Sequence, residues 1–65
     1  MSIYYEIEVN VARKGAEPIW RELEDEYGDP CRWVDEDDAR AALADENRGD
    51  NARILRFVAG FGQPI

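Results

Sequence analysis

The sequence predicts a small α+β domain, in which an antiparallel sheet of two or three strands packs against one helix. Three segments carry this prediction. Residues 3–13 alternate polar and apolar side chains, residues 35–47 have a capping residue and a small apolar face, and residues 52–61 are largely apolar. Because 65 residues fit one core, we expect a single domain over residues 1–65.

The first strand is the clearest element of the sequence. Every second residue is apolar over its length, which is the period of a strand with one buried face; these residues are Ile3, Tyr5, Ile7, Val9 and Val11. Gly15 then marks a turn, because glycine readily adopts the positive backbone angles that a tight turn requires.

Two interpretations of the next segment stay open. A short helix over residues 18–27 is favoured, because Pro18 suits a first helical position and Gly28 stands where helices often end. The alternative is a strand within residues 19–34 that pairs with the first strand. Trp20 and Trp33 are expected to be largely buried in either case.

The segment 35–47 is the clearest helix. Asp35 is a suitable N-cap, and Glu36 and Asp37 lie where the positive end of the helix dipole favours acidic side chains. Helical spacing places Ala39, Ala42 and Leu43 on one face. We expect this face to pack across the sheet.

Residues 52–61 are predicted to form a second long strand that pairs with the first. Leu55, Phe57, Ala59 and Phe61 would then face the same way. Gly60, Gly62 and Pro64 predict a loosened tail. The apolar end, residues 61–65, is either without structure or docks on a second copy to form a homodimer.

The sequence offers little material for catalysis. It has no histidine or threonine, and its one serine is Ser2, so a nucleophile and base cannot be paired within one chain. Its one cysteine, Cys31, cannot form a zinc site without further ligands, and a packing role is favoured over the redox role that the neighbouring Arg32 would assist. We therefore expect no enzyme activity, no catalytic residue, no cofactor and no metal site.

Charge is the most informative feature for function. The net charge is −7, and residues 17–50 hold thirteen acidic against four basic side chains. Such a field repels nucleic acid and anionic lipid and attracts basic protein surfaces. The N-terminus lacks the pattern of a signal peptide, and a single cysteine fits a reducing compartment, so we expect a cytoplasmic protein without membrane contact.

Three interpretations of the acidic residues follow. The favoured one is a non-enzymatic interaction module whose acidic face engages a basic protein surface. A second is a structural or homo-oligomeric domain whose acids serve solubility or adaptation to high salt. The candidate partner-binding residues are Glu22, Glu24, Asp25, Glu26, Asp29, Asp35, Glu36, Asp37 and Asp38.

The third interpretation is an inhibitor that mimics DNA. In size, acidity and lack of catalytic residues, the chain resembles small phage-encoded inhibitors of host defence, including anti-CRISPR proteins and DNA mimics. This resemblance is one of composition and involves no motif. It implies a nucleic-acid-binding protein as the partner, because closely spaced carboxylates imitate a phosphate backbone.

Overall fold

The first predicted strand lies inside a four-stranded antiparallel sheet in a computed structural model of the chain, which describes residues 2–65. The strands are β1 (Ile3–Asn10), β2 (Trp20–Glu22), β3 (Ala52–Val58) and β4 (Phe61–Pro64). Their order across the sheet is β2-β1-β3-β4. The α+β class is confirmed, and the strand count is higher than the two or three predicted.

The predicted helix is confirmed as α1 (Glu36–Glu46). At its start, a side-chain oxygen of Asp35 accepts a hydrogen bond of 2.8 Å from the backbone N–H of Asp37. At its end, Asn47 adopts a left-handed conformation and donates its N–H to the carbonyl oxygen of Ala44. Both caps satisfy backbone groups that the helix itself cannot. Within residues 2–65, no helix is long and apolar enough to span a bilayer.

The helix covers one face of the sheet, which we call the helix-covered face. Its centre is Ile7, which is fully buried and pairs in register with Ile54. Ala39 of α1 is also fully buried, and its small side chain lets the helix approach the strands closely. The remaining side chains of this core are Tyr5, Val9 and Ala52, with Leu23, Trp33, Ala42 and Leu43 packed around them.

The favoured helix over residues 18–27 is wrong, and the strand alternative is correct for β2. Residues 20–22 pair with the edge of β1 in the register Val9 to Arg21. The Asn10 side-chain oxygen accepts hydrogen bonds from the N–H groups of Ala12 and Ile19, which ends β1 before residue 13 and returns the chain beside it. Pairing the open edge of a central strand outweighs a weak local helix signal.

Both tryptophans are partly buried, and neither is fully enclosed by the core. Trp33 lies at the border of the core, where its backbone exchanges two hydrogen bonds with Tyr5. Trp20 lies on the opposite face of the sheet, beneath the guanidinium group of Arg53. The two rings therefore do not share a core.

The single strand predicted over residues 52–61 is also wrong, because the chain reverses within it. Ala59 and Gly60 have φ values of 52° and 85° and join β3 to β4. Positive φ at both central residues is typical of a two-residue hairpin turn. The reversal pairs Phe61 with Val58 on the helix-covered face, away from the face that Phe57 occupies. The predicted loosened tail is instead an edge strand.

Candidate functional site

An acidic hairpin leaves the edge of the sheet between β2 and α1. The N–H of Leu23 still bonds to β1, and Trp33 rejoins β1 opposite Tyr5. Between these points residues 24–30 double back on themselves, closed at the base by a bond of 3.0 Å from the N–H of Cys31 to the carbonyl of Leu23. We call residues 24–30 the acidic hairpin.

Asp25 fixes the shape of the acidic hairpin. One carboxylate oxygen accepts hydrogen bonds of 2.8 Å from the N–H of Tyr27 and 3.0 Å from the N–H of Asp29. Its own N–H donates to the carbonyl of Asp29, and Gly28 takes a positive φ of 85°. These bonds order the turn locally, as aspartate side chains commonly do.

The hairpin concentrates negative charge around an exposed aromatic ring. It contains no basic residue and four acidic residues, which are Glu24, Asp25, Glu26 and Asp29. Tyr27 is 82% exposed at the tip. Glu22, the remaining predicted residue of this region, is exposed on the adjoining strand β2.

The predicted acidic residues at the start of α1 have different tasks. Asp35 caps the helix. Glu36 accepts bonds of 2.8 Å from both Arg40 and Arg56, and these two guanidinium groups hold the pKa of Glu36 below its usual value. Asp37 and Asp38 are exposed to solvent. Two of the four side chains therefore already serve the fold.

The acidic hairpin and the start of α1 belong to separate elements of the chain. Residues 24–30 form the hairpin, while Asp37 and Asp38 lie in the first turn of α1. At the base of the hairpin, burial, and then the charges of Asp25 and Glu46, raise the pKa of the Cys31 thiol.

The face of the sheet opposite α1, here called the open face, was missed as a feature by sequence reasoning. Tyr4 and Phe57 stack there with ring centroids 4.9 Å apart and an interplanar angle of 3°. Arg32 lies 4.8 Å from the centroid of Tyr4, and Arg53 lies 4.1 Å from that of Trp20. Part of the signal was present, because Tyr4 is an aromatic residue between the apolar positions of the first strand pattern.

Glu6 is the most buried charged group on the open face. Its residue is 2% exposed, and one carboxylate oxygen accepts a bond of 3.2 Å from Arg32. Its other oxygen is buried without a partner among residues 2–65. Burial, and then the charge of Glu22, raise the pKa of Glu6, and the bond from Arg32 opposes them. The Arg32 side chain thus bonds to Glu6. The pKa of the neighbouring Cys31 thiol is raised, which is the opposite of the shift that the redox role required.

The comparisons with known proteins leave the function to be argued from the site. No protein-family model, curated protein or solved structure matches this chain. Within residues 2–65, no group of three or more histidine, cysteine, aspartate or glutamate side chains is placed to hold a metal ion.

Proposed function

We propose that this chain is a non-enzymatic interaction module that engages a basic protein surface through its acidic face. The acidic hairpin is the main binding element of that face. One observation carries the proposal: an ordered hairpin holds four carboxylates around Tyr27, which is 82% exposed. Of the predicted residues, Glu24, Glu26 and Asp29 would contact the partner, and Asp25 would hold their geometry.

The order of the hairpin supports binding because it lowers the entropic penalty of association. A loop that is fixed before it meets its partner has fewer conformations to lose. Here the side chain of Asp25 and the backbone bonds at Leu23 and Cys31 fix the loop from both ends.

Tyr27 supports a protein partner in particular. Tyrosine is enriched at protein interfaces, where its ring fills a pocket and its hydroxyl finds a polar partner. Exposed on an acidic loop, this ring would anchor the contact, while the carboxylates select basic surroundings. The net charge of −7 adds long-range attraction that weakens as salt rises.

The test is capture of binding proteins from cells of the source organism, with three matched variants of the domain. E24Q/E26Q removes two charges from the hairpin and leaves Asp25 in place. D37N/D38N removes two charges from the start of α1 and is the control for total charge. Y27A leaves the charge unchanged and removes the ring.

We expect the unmodified chain and D37N/D38N to retain the same basic protein at about 50 mM salt and to release it at about 300 mM. E24Q/E26Q and Y27A should retain much less of it. Equal loss with D37N/D38N would mean that only total charge matters and would refute the role of the hairpin. Competition by duplex DNA would favour the DNA-mimic interpretation over the general one.

Self-association is a second candidate function, supported by the edge strand β4. Residues 59–65 carry no charged side chain, and Phe61 and Ile65 are 79% and 45% exposed. An edge strand with exposed apolar side chains is a common site of strand pairing between copies. Sedimentation velocity of the chain and of F61K would test it, with a concentration-dependent dimer expected only for the unmodified chain.

A further inference from the structure

A basic cleft lies at the end of the sheet where β1 stops. The loop after β1 forms one side, and the end of α1 with the following 3-10 turn, Gly49–Asn51, forms the other. The cavity between them has a volume of about 600 Å³. Its lining includes Arg13, Lys14, Arg48, Asn10, Asn47 and Asn51.

The lining of this cleft is positively charged, whereas the chain as a whole is negatively charged. It includes three of the eight basic residues of the chain, and none of its fifteen acidic residues. Arg13 and Lys14 form no ion pair with any acidic residue in the part of the chain that the structure describes. Arg48 pairs only loosely, with its Nε atom 3.7 Å from Glu46.

The walls of the basic cleft are held in place by hydrogen bonds. The Asn10 amide donates a bond of 3.1 Å to Asn51, which ties the end of β1 to the 3-10 turn. The other amide atom of Asn10 accepts the N–H of Ala12, and the N–H of Ala16 bonds to the carbonyl of Arg13. The two sides of the cleft are therefore connected through the side chains of Asn10 and Asn51.

The chemistry of the lining fits a phosphate group. Arginine and lysine side chains donate charge-assisted hydrogen bonds to phosphate oxygens, and carboxamides can add further neutral bonds. In the part of the chain that the structure describes, no aromatic ring on which a nucleobase could stack lines the cavity. The volume falls in the range of small-molecule sites.

We propose that the basic cleft binds a phosphate group, either free or carried by a small hydroxyl-rich metabolite such as a sugar phosphate. Arg13, Lys14 and Arg48 contact the phosphate oxygens. Asn47 and Asn51 bond to hydroxyl groups. This site uses no residue of the acidic hairpin, so it stands or falls independently of the interaction function proposed above.

The experiment is a titration of the isotope-labelled chain followed by amide chemical shifts at constant ionic strength. The probes are inorganic phosphate, glucose 6-phosphate and glucose. R13Q/K14Q removes two charges from the cleft. R21Q/R40Q is the control, because it removes two charges from exposed arginines that do not line the cleft.

We expect shifts from both phosphate-bearing probes, concentrated in residues 10–16 and 47–51, and none from glucose. R13Q/K14Q should weaken binding about tenfold or more, and R21Q/R40Q should change it by less than about threefold. Tighter binding of glucose 6-phosphate would assign the site to a phosphorylated metabolite, and equal binding would assign it to free phosphate. The proposal is wrong if no shift occurs below about 10 mM, or if both variants weaken binding equally.

Discussion

The two faces of the sheet are covered by different physical means. On the helix-covered face, Ile7 and Ala39 are completely buried in an apolar core beneath α1. Among residues 2–65, no helix lies on the open face, and flat side chains cover the strands instead. Tyr4 stacks on Phe57, and Arg53 lies over Trp20 while it bonds to Glu8 at 2.8 Å.

The difference shows how a chain with one helix closes a sheet on both sides. Apolar burial is not directional and contributes about 25 cal/mol per Å². Cation–π pairs and surface ion pairs each contribute about 1 kcal/mol or less. We therefore expect the helix-covered face to supply most of the stability, and the open face mainly to shield the strands from water.

The largest effect should come from Ile7→Ala on the helix-covered face. Removal of a fully buried side chain from the centre of the core should lower the free energy of unfolding by about 3 kcal/mol. Leu55→Ala, at 8% exposure on the open face, should lower it by less, about 2 kcal/mol. Urea unfolding would measure both. Equal losses would mean that the two faces contribute alike.

Gly62→Ala should have the next largest effect, and it acts on the open face. A β-carbon at Gly62 would lie 2.5 Å from the Phe57 ring, so the ring would have to shift from the position in which it stacks on Tyr4. We expect a loss of about 2 kcal/mol in thermal or urea unfolding. Gln63→Ala, at the next position of the same edge strand, is the control and should change stability by less than about 0.5 kcal/mol. If Gly62→Ala left the stability unchanged, the stack of Tyr4 on Phe57 would be mobile enough to accommodate the added β-carbon.

The sequence predicted the parts of the fold that local chemistry determines. Asp35 and the alanine-rich face of α1 specify a helix by themselves, and the alternation in β1 specifies a half-buried strand. The wrong predictions concern segments whose secondary structure depends on pairing with a distant part of the chain. Pro18 and Gly28 resemble helix boundaries, yet β1 recruits residues 20–22 as a strand.

The turn at residues 59–60 and the details of the candidate site could not be predicted from the sequence, for related reasons. Ala59 in a left-handed conformation carries no turn signal of its own, so the reversal between β3 and β4 was invisible. The acidic residues could be chosen by charge alone, but charge does not distinguish Asp25, which orders a turn, from Glu26 in the same hairpin. That distinction depends on where the backbone N–H groups lie.

The stacking of Arg53 on Trp20 should contribute a smaller effect, best measured by a double-mutant cycle. The guanidinium carbon lies 4.1 Å from the ring centroid. R53Q, W20L and the double variant should give a coupling free energy of about 0.5–1 kcal/mol. The cycle separates this pair from the bond between Arg53 and Glu8, which R53Q also removes. A coupling near zero would mean that the open face is only a steric cover.

The smallest effect is a change in the pH dependence of stability, and it should have opposite signs on the two faces. Glu6 has a raised pKa on the open face, so the folded chain holds its proton longer than the unfolded chain does. Its contribution to stability therefore falls as the pH rises from the ordinary pKa to the raised one. Glu36 has a lowered pKa at the helix-covered side, and its contribution is lost as the pH falls through that lowered value.

Two isosteric variants separate these contributions. E6Q should remove the loss of stability that Glu6 causes as the pH rises. At pH values above the ordinary glutamate pKa, E6Q should therefore become more stable relative to the unmodified chain. E36Q should do the reverse, because it removes the carboxylate that Arg40 and Arg56 hold. Urea unfolding of the three chains between about pH 3 and pH 7 would measure both slopes. If E6Q lost stability as the pH rose, the buried Glu6 carboxylate would be a favourable partner of Arg32, and the open face would depend on that ion pair rather than merely tolerate it.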